Sequence, residues 1–420
     1  MKRFLMFVLF LVLALSCSSD FKKLPDYYDD YLDEICVQIN ELKSDQADGF
    51  IFWTDPHYPE NAGNTAAIID YIQKKTGKCL LFCGGDATKN APSYEPGLAA
   101  YTALLTHVGR HGLLCPIRGN HDFTSSTSRA DTPQTMDKES VYDYLSSFRS
   151  SKAVVDTSEC CPTWFYVDSP KGKIRYVVFD SSDTINHNRI RYGMSEKQLS
   201  WIFDTAVATV PQDWKIIFLS HIPFAPDHTN VKSQLDAGAR IAGLDNVLMC
   251  ISGHRHSDME SGIGGLFQVL TAADCLLDVG RTLSPYSKYP GKKTLGTVNE
   301  QTLDYVSISK DYSKVTMKRI GYGHDRIFNV CPRIASVGDV LEMKASMHPV
   351  QWFAFDAQGN ETGKYGEDGL RNYNTSHLNA SISEDGHLTC LRAGYTIVVA
   401  RHEDGTKEYY MIEAIDGNIN

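Results

Sequence analysis

Five short apolar stretches of this sequence each run directly into side chains that bind metal ions or move protons. Residues 113–117 are one example, and an apolar run of this kind predicts a buried β-strand. Gly119 lets the chain turn sharply after that run, and Asn120, His121 and Asp122 follow at once. The other four runs cover residues 50–54, 80–83, 216–219 and 247–252. Such strands favour an α/β sheet, where sites lie at the carboxyl ends of the strands.

The five clusters repeat one arrangement, in which oxygen and nitrogen donors follow the end of a strand. Taken alone, residues 119–122 are equally typical of a surface turn with an exposed histidine, and it is the repetition that favours a common site. Aspartate, asparagine and histidine are ligands that first-row metals accept without any thiolate. The candidate metal ligands are Asp55, His57, Asp86, Asn120, His221, His254 and His256.

Helical periodicity separates the first three strands. Apolar residues at steps of three and four predict helices over residues 26–43, 64–77, 95–110, 138–148 and 195–207. A strand hairpin is predicted over residues 165–179, and alternating strands over 266–271, 304–309 and 314–320. This alternation of strand and helix predicts an α/β layered domain to which antiparallel strands are added.

The length and charge of the chain limit its organisation and its partners. At 420 residues the chain is long enough for two folded units. The net charge is −10 and the sequence has no basic tract, so we expect no binding to a nucleic-acid backbone.

The amino terminus is typical of an export signal. Lys2 and Arg3 precede an apolar run over residues 4–15, which is too short to span a membrane as a mature helix. Cys17 follows this run at a position that resembles a bacterial lipoprotein processing site, although that site usually has leucine where Ala14 stands. We therefore predict a signal peptide with lipidation of Cys17 over residues 1–17. The alternative is an ordinary secretory signal with a chance cysteine. The predicted location is the cell envelope, with the chain secreted and lipid-anchored in the periplasm or at the outer-membrane surface.

The ten cysteines that would remain after Cys17 leave two interpretations open. An even number in an oxidising compartment suggests disulfides. However, Cys79, Cys83, Cys115 and Cys250 lie in or beside apolar strands, where a small buried hydrophobe is the more typical role. The sequence has no CxxC pair, which disfavours a zinc knuckle or a thioredoxin-type site.

A change of pattern near residues 321–332 predicts a second unit. Beyond it the helical period is lost, and short strands alternate with turns such as Asp385-Gly386 and Asp404-Gly405. This spacing predicts a small all-β sandwich. The predicted division is a tether and amino-terminal helix over 18–47, a first domain over 48–325 and a second over 330–420.

The predicted ligand set fits the hydrolysis of phosphate esters. Two metal ions roughly 3.5–4 Å apart activate a bridging water as hydroxide and neutralise the charge that develops on the phosphoryl group. Seven candidate ligands can supply about four donors to each ion when one carboxylate is shared. His121 is the candidate catalytic residue, as a proton donor to the leaving oxygen. Oxygen and nitrogen ligation admits manganese, iron or zinc as divalent or trivalent ions.

The same motifs, in the same order, resemble those of calcineurin-like metallophosphoesterases over about residues 48–320. The motifs are Asp55-x-His57, Gly85-Asp86, Gly119-Asn120-His121-Asp122, His221 and Gly253-His254-x-His256. The resemblance implies a four-layer α/β/β/α sandwich of two mixed sheets. It further implies that Asp86 is shared by two metal ions. Asp55, His57 and His256 would complete one ion's ligands, and Asn120, His221 and His254 the other's.

The sequence departs from one branch of that family. In the protein Ser/Thr phosphatases, a second aspartate lies three residues after the bridging one and an arginine follows it, whereas this chain has Lys89 and Asn90. The departure argues against a protein phosphatase. It also leaves open which residue orients His121, although Asp122 is adjacent in sequence.

The carboxyl-terminal stretch resembles a bacterial Ig-like domain of group 2. The markers are Trp352, a glycine turn before a short strand, and an Ala-Gly pair before the strand of residues 396–400. Such modules mostly act as spacers or attachments, and contact with a cell surface or glycan is one role to consider. The resemblance adds a small all-β Ig-like sandwich to the predicted α/β fold.

Taken together, the sequence predicts a secreted, membrane-tethered metallophosphoesterase with a phosphomonoester or phosphodiester substrate. The alternative is a non-catalytic surface lipoprotein that binds through its Ig-like domain. The complete set of seven candidate ligands favours the enzyme.

Overall fold

Two large mixed β-sheets carry most of the fold, and helices pack against both. The computed structural model describes residues 24–57, 61–87, 95–122, 138–183, 193–225, 231–274, 293–357, 361–365, 371–373 and 378–417. Within these residues one sheet has nine strands and the other has seven. Smaller sheets of three and two strands are formed by residues nearer the carboxyl terminus.

The strands and helices follow one another in the order that the sequence predicts for its first half. The strands are β1 (Gln46–Trp53), β2 (Leu80–Cys83), β3 (Leu114–Pro116), β4 (Ala153–Val155), β5 (Phe165–Ser169), β6 (Ile174–Val178), β7 (Lys215–Ser220), β8 (Val247–Ser252), β9 (Met259–Ile263), β10 (Leu266–Leu270), β11 (Thr302–Ser309), β12 (Lys314–Gly321), β13 (Arg326–Ser336), β14 (Val340–Glu342), β15 (Gln351–Asp356), β16 (Glu361–Tyr365), β17 (Arg371–Tyr373), β18 (Ala380–Ile382), β19 (His387–Cys390), β20 (Gly394–Arg401) and β21 (Lys407–Ile415). The α-helices are α1 (Asp29–Ser44), α2 (Ala62–Thr76), α3 (Glu95–Gly109), α4 (Lys138–Phe148), α5 (Glu196–Trp201) and α6 (Lys232–Ala242). Shorter helical turns cover Asp26–Tyr28, Ile202–Val207 and Val298–Glu300.

The nine-stranded sheet has the order β15-β20-β21-β13-β12-β11-β1-β2-β3. The strands β1, β2 and β3 pair in parallel, so their carboxyl ends meet at one edge. Residues 50–53 of β1 are buried on both faces. This explains their continuous apolar run, because a strand covered on both sides has no polar face.

The seven-stranded sheet has the order β4-β5-β6-β7-β8-β10-β9. Its central strands β6, β7 and β8 are parallel, and β10 is parallel to β8. The predicted hairpin is confirmed as the antiparallel pair of β5 and β6. The carboxyl ends of β7 and β8 carry the predicted histidines.

Three buried clusters show how the layers are held together. One contains apolar residues of both large sheets, and the ring of Phe50 on β1 lies 5.1 Å from that of Tyr176 on β6. A second joins α1 to α4 with the other face of the first sheet, and a third joins α5 and α6 with the other face of the second. The four-layer α/β/β/α arrangement itself stays a prediction.

The structure corrects the sequence analysis by adding several elements. The helix α6 was not predicted, nor were the strands β4, β9, β13, β14, β16 and β17. In β9, Glu260 and Gly262 interrupt the apolar residues, so that the run is too short to indicate a strand. The strand forms because Glu260 pairs with Val269 of β10 across an antiparallel ladder.

The strand β13 runs through most of the predicted break between the two units. Its first residues pair with β12, and residues from Arg326 to Ser336 pair in parallel with β21. The strands β20 and β15 then extend the same sheet. The first sheet is therefore continuous across the predicted boundary, while the division at 325 and 330 stays a prediction.

The side chains of the carboxyl-terminal strands alternate between two hydrophobic cores. In β20, Ile397 and Val399 pack into the core between the large sheets. The intervening Val398 and Ala400 pack instead against Leu388 of the three-stranded sheet β14-β19-β18. The resemblance of residues 330–420 to an Ig-like domain stays a prediction.

The predicted signal peptide and lipidation site, including Cys17, lie outside the described residues. The described helices are all too short or too polar to cross a membrane. Of the four cysteines predicted to act as small buried hydrophobes, Cys83, Cys115 and Cys250 are buried, whereas Cys79 is only half-buried.

Candidate metal centre

The structure brings all seven predicted metal ligands together between the carboxyl ends of two sets of strands. One set follows β1, β2 and β3 of the first sheet, and the other follows β7 and β8 of the second. The residues are Asp55, His57, Asp86, Asn120, His221, His254 and His256. They form two groups that have Asp86 in common.

The first group consists of Asp55, His57, Asp86 and His256. One donor atom of each lies within 4.8 Å of the others. The Nε2 atoms of His57 and His256 are 2.7 Å apart, and His256 Nε2 lies 3.3 Å from Asp55 Oδ1. His57 Nε2 lies 3.6 Å from both Asp55 Oδ1 and Asp86 Oδ2. Donor atoms at these separations can face a single ion.

The second group consists of Asp86, His221 and His254, with Asn120 beside them. His221 Nε2 lies 3.1 Å from Asp86 Oδ2 and 3.0 Å from Asn120 Oδ1. His254 Nδ1 lies 2.9 Å from the same Asn120 oxygen. The Nδ1 atom of His221 lies 2.9 Å from the carbonyl oxygen of Gly84, which fixes the ring and leaves Nε2 for an ion.

The backbone is strained at most of these residues. Asp55, His57, Asp86, His254 and His256 all have φ between 49° and 73°. Residues other than glycine seldom adopt this left-handed backbone conformation, which costs about 1–3 kcal/mol where it occurs. The strain is concentrated at the candidate ligands, so we infer that their placement is a functional constraint of the fold.

Glycines beside the ligands allow the strand ends to approach closely. A Cβ on Gly119 would collide with the amide nitrogen and the carboxylate of Asp86. A Cβ on Gly253 would collide with Thr54 and with the Asp55 carboxylate. Glycine at these two positions is therefore a condition for bringing the carboxylates together.

Each of the two carboxylates has one oxygen fixed by hydrogen bonds and the other oxygen facing the candidate histidine ligands. Asp55 Oδ2 accepts from Thr54 Oγ1 at 2.7 Å and from the His254 amide at 2.8 Å. Asp86 Oδ1 accepts from the His121 amide at 2.6 Å. The buried atoms Asp55 Oδ1 and Asp86 Oδ2 lie 3.3 Å from His256 Nε2 and 3.1 Å from His221 Nε2. Carboxylate oxygens and ring nitrogens that face one another in this way fit the ligands of a metal ion.

The charges of the site depend strongly on one another. Burial alone would lower the pKa of His221, but the Asp86 and Asp55 carboxylates outweigh burial and raise it to about 10. Burial opposes ionisation of Asp55 and Asp86, yet the neighbouring histidines hold the pKa of both carboxyls below the usual range. Burial, followed by the charge of His221, lowers the pKa of His254 well below its usual value.

His121 lies at the rim of the site and is more open than its neighbours. Its side chain is 27% exposed, against 6% for His57, and its Nε2 lies 4.0 Å from Asp86 Oδ2. The rings of His121 and His57 meet edge to face with centroids 5.0 Å apart. Burial lowers the pKa of His121, and the nearby Asp86 opposes that change.

Asp122 is turned towards its own loop. Its Oδ2 accepts from the Gly119 amide at 2.8 Å, which closes the turn that presents Asn120 and His121. Asp122 therefore shapes the loop through the backbone. Lys89 and Asn90, where the protein phosphatases have Asp and Arg, lie outside the described residues.

A buried charge cluster that the sequence analysis missed supports the loop of His254 and His256. Asp258 accepts two hydrogen bonds from Arg319, at 2.7 and 2.9 Å, and it accepts a third from the Ala272 amide. Arg319 also donates to Asp304 at 2.9 Å, and Arg326 of β13 lies 3.4 Å from Asp258. The only indication in the sequence is that Asp258 follows His256 by two residues.

The match to a family model identifies the class of protein. Residues 50–258 match the model of the calcineurin-like phosphoesterases. This part of the chain is a calcineurin-like phosphoesterase domain, and the protein is a hydrolase that acts on phosphoester bonds. Together with the two ligand groups, the family supports two divalent metal ions. No curated protein matches the sequence.

Solved structures support the same fold. A dimetal phosphatase from Danio rerio is 13% identical, with a TM-score of 0.50, and the match covers 68% of this chain and 100% of that one. A 5'-nucleotidase from Candida albicans is 14% identical, covering 64% of this chain and 49% of that one, with a TM-score of 0.37. A phosphopantetheinyl hydrolase from Mycobacterium tuberculosis is 10% identical, covering 54% and 89%, with a TM-score of 0.30. Of these three, the first shows a common fold.

Proposed function

We propose that this protein hydrolyses a phosphomonoester or phosphodiester at a dinuclear metal centre. The observation that carries the proposal is the pair of ligand groups that share Asp86, in which the buried oxygens Asp55 Oδ1 and Asp86 Oδ2 face histidine ring nitrogens. A shared carboxylate is what two ions at close spacing require. The similarity to a dimetal phosphatase adds support at the level of the fold.

The residues divide into those that hold the ions and one that handles a proton. Two ions bound there would supply an activated water and a positive charge for the phosphoryl oxygens. Asp55, His57, Asp86 and His256 would hold one ion. Asp86, Asn120, His221 and His254 would hold the other. We assign His121 as the proton donor to the leaving oxygen, because it lies at the open rim beside Asp86.

The donor set is compatible with manganese, iron or zinc. All seven candidate ligands offer oxygen or imidazole nitrogen, and neither group includes a cysteine. Borderline metals suit such a set, and a soft ion such as copper(I) does not.

Metal analysis coupled to turnover tests the proposal. The purified chain would be assayed for metal content and for hydrolysis of nitrophenyl phosphate and bis-nitrophenyl phosphate, before and after reconstitution with manganese, iron and zinc. We expect two ions per chain and activity that a chelator abolishes. Absence of both metal and turnover after every reconstitution would contradict the proposal and would favour a non-catalytic binding role. The ratio of the two activities distinguishes a monoesterase from a diesterase.

We further propose that the protein is exported and tethered to a membrane of the cell envelope. The support is the order of Lys2 and Arg3, the apolar residues 4–15 and Cys17 in the sequence. Detergent extraction of the wild-type chain and of Cys17→Ser, followed by mass spectrometry of the amino terminus, tests this. A soluble wild-type chain without a lipid-modified cysteine would contradict the tether.

A further inference from the structure

A second cavity lies at the end of the sheets opposite the candidate metal centre. It has a volume of about 510 Å³ and is lined by the amino ends of β1 and β2 and by the turn between β5 and β6. Asp48 lines this cavity, whereas Asp55 of the candidate metal centre lies beyond the other end of β1. Asp48 lies five residues before Trp53, the last residue of β1, so at about 3.3 Å per residue the strand separates the two sites by at least roughly 16 Å.

Four lysines line this cavity. They are Lys43, Lys78, Lys152 and Lys171. Lys43 donates to the carbonyl oxygen of Thr76 at 2.5 Å, and Lys78 Nζ lies 3.2 Å from a ring nitrogen of His111. None of the four forms an ion pair with a carboxylate in the described parts of the chain. By contrast, Lys75 and Lys173 each pair with an aspartate.

Of the two acidic residues that line the cavity, one is balanced by an arginine and the other offsets part of the lysine charge. Asp168 receives two hydrogen bonds from Arg175, at 2.7 and 2.8 Å, so its charge is balanced. Asp48 accepts from the Tyr176 hydroxyl at 2.7 Å in a half-buried position. Asp48 lies close enough to Lys171 for their charges to interact, so four lysines and one carboxylate leave an excess of positive charge around this half-open cavity, in a chain whose net charge is −10.

The walls between the lysines are partly apolar. Leu80 and Leu113 are half-exposed on the cavity side, while Tyr305 behind them is fully buried. Small-molecule sites typically have volumes of about 300–1,000 Å³ and combine apolar walls with a few charged groups. Lysine binds phosphate and carboxylate as a point charge.

We propose that this cavity binds a small organic polyanion with an apolar or aromatic part and at least two phosphate or carboxylate groups. The apolar part would contact Leu80 and Leu113. The anionic groups would lie among the four lysines. The site is separate from the candidate metal centre and does not depend on the proposed hydrolysis.

Titration of the full-length, metal-loaded chain tests the proposal. The probes are α,β-methylene-ADP, methylenediphosphonate and citrate, which together vary the anionic group and the attached body. Binding would be measured by calorimetry for the wild type and for Lys78→Ala/Lys171→Ala. The matched control Lys74→Ala/Lys314→Ala removes the same charge from outside the cavity. Hydrogen exchange would locate the amides that each probe protects.

We expect α,β-methylene-ADP to protect residues 46–49 and 168–172 and to bind at least about tenfold more weakly to the cavity variant, with less than about twofold change in the control. Tighter binding of citrate would identify carboxylates as the preferred groups. The proposal would be overturned if every probe bound both variants equally, or if protection were confined to the loops of Asp55 and Asp86. If methylenediphosphonate bound and α,β-methylene-ADP did not, the proposed apolar part of the ligand would be wrong.

Discussion

His221 couples metal binding to the loss of a proton. Its pKa is raised to about 10 in the metal-free chain, where burial is outweighed by Asp86 and Asp55, so at neutral pH the ring is protonated. A protonated imidazole cannot bind an ion, and metal uptake must therefore displace that proton. Metal affinity should therefore rise with pH until the pH reaches the raised pKa of His221.

Because one proton must leave when the metal binds, we expect metal affinity to increase roughly tenfold per pH unit between about pH 6.5 and about pH 8.5. Competition with a chelator over that range measures the slope. Calorimetry in buffers of different ionisation enthalpy counts the released protons independently. An affinity that did not change with pH would contradict a protonated His221.

Gly119 provides a sharp test of how tightly the site is packed. In Gly119→Ala the new Cβ would collide with Asp86, the residue common to both ligand groups. We expect loss of at least one ion and a fall in activity of about 100-fold or more, since small misplacements at reacting centres have effects of that size. The control is Gly63→Ala on α2, where a Cβ meets nothing within 4 Å. Full metal content and activity in Gly119→Ala would contradict the proposed role of Asp86.

The assignment of His121 as a proton donor predicts a dependence on the leaving group. In His121→Asn both ions should remain bound, while turnover should fall by about 10²–10⁴-fold for an alkyl phosphate. The fall should be much smaller for nitrophenyl phosphate, because nitrophenolate leaves without needing a proton. The control is His111→Asn, a substitution at an exposed histidine outside the site. Equal losses on both substrates would indicate a positioning role instead.

The ligands could be predicted individually because each follows a strand in the sequence. Asp55, Asp86 and His221 are the kinds of residue that bind metals, and each comes within three residues of the end of an apolar run. Asp258 and Arg319 could not be predicted in the same way. They are 61 residues apart, and only the folded sheets bring the carboxylate and the guanidinium to 2.7 Å.

Among the strands and helices, strongly periodic segments were predictable and context-dependent ones were not. The central strands β7 and β8 are buried apolar runs, and α4 covers the predicted residues. The strand β9 depends on its pairing with β10, so its own five residues carry little information. The same holds for β13, whose long pairing is with β21 more than seventy residues later.

The charge cluster around Asp258 links three strands of the first sheet to the metal-binding loop of the second. Arg319 lies on β12, Arg326 on β13 and Asp304 on β11, and all are buried. Burial alone would raise the pKa of Asp258, but Arg319 and Arg326 outweigh it and hold that pKa below the usual range. Ionised Asp258 therefore stabilises the folded chain above the ordinary aspartate pKa, and the stabilisation is lost as pH falls.

We expect Asp258→Asn to lower the free energy of unfolding by about 2–3 kcal/mol at neutral pH, because the buried Arg319 loses the carboxylate that accepts two of its hydrogen bonds and keeps Asp304 as its remaining carboxylate partner. Denaturant unfolding measures the change. The difference from the wild type should shrink at acid pH, where the wild-type carboxyl gains a proton. The exposed pair of Lys232 and Asp236 supplies the control, since Asp236→Asn should change stability by less than about 1 kcal/mol. A stable Asp258→Asn would show that the cluster is not needed.

The nine-stranded sheet contains strands from both sides of the predicted domain boundary. The sequence predicted two units because its pattern changes near residue 321, and a pattern in sequence does not reveal which strands pair. In the structure, Phe328 on β13 stacks on Tyr409 on β21 with ring centroids 4.8 Å apart, inside the core between the large sheets. The carboxyl-terminal strands therefore complete the main core in addition to forming their own.

This continuity predicts cooperative unfolding. A spacer domain on a linker would unfold separately, whereas strands that share a sheet and a core should unfold with it. We expect one calorimetric transition for the chain from residue 24 onwards, with calorimetric and van't Hoff enthalpies in agreement. A chain that ends at Asp325 would lack β13, which leaves β12 as an unpaired edge strand, so this chain should be prone to aggregation. It would also lack Arg326, which bonds Asp304 in the charge cluster behind the metal-binding loop, so it should bind metal poorly. Two resolved transitions, or a soluble and active chain ending at Asp325, would instead support the independent domain that the sequence predicted.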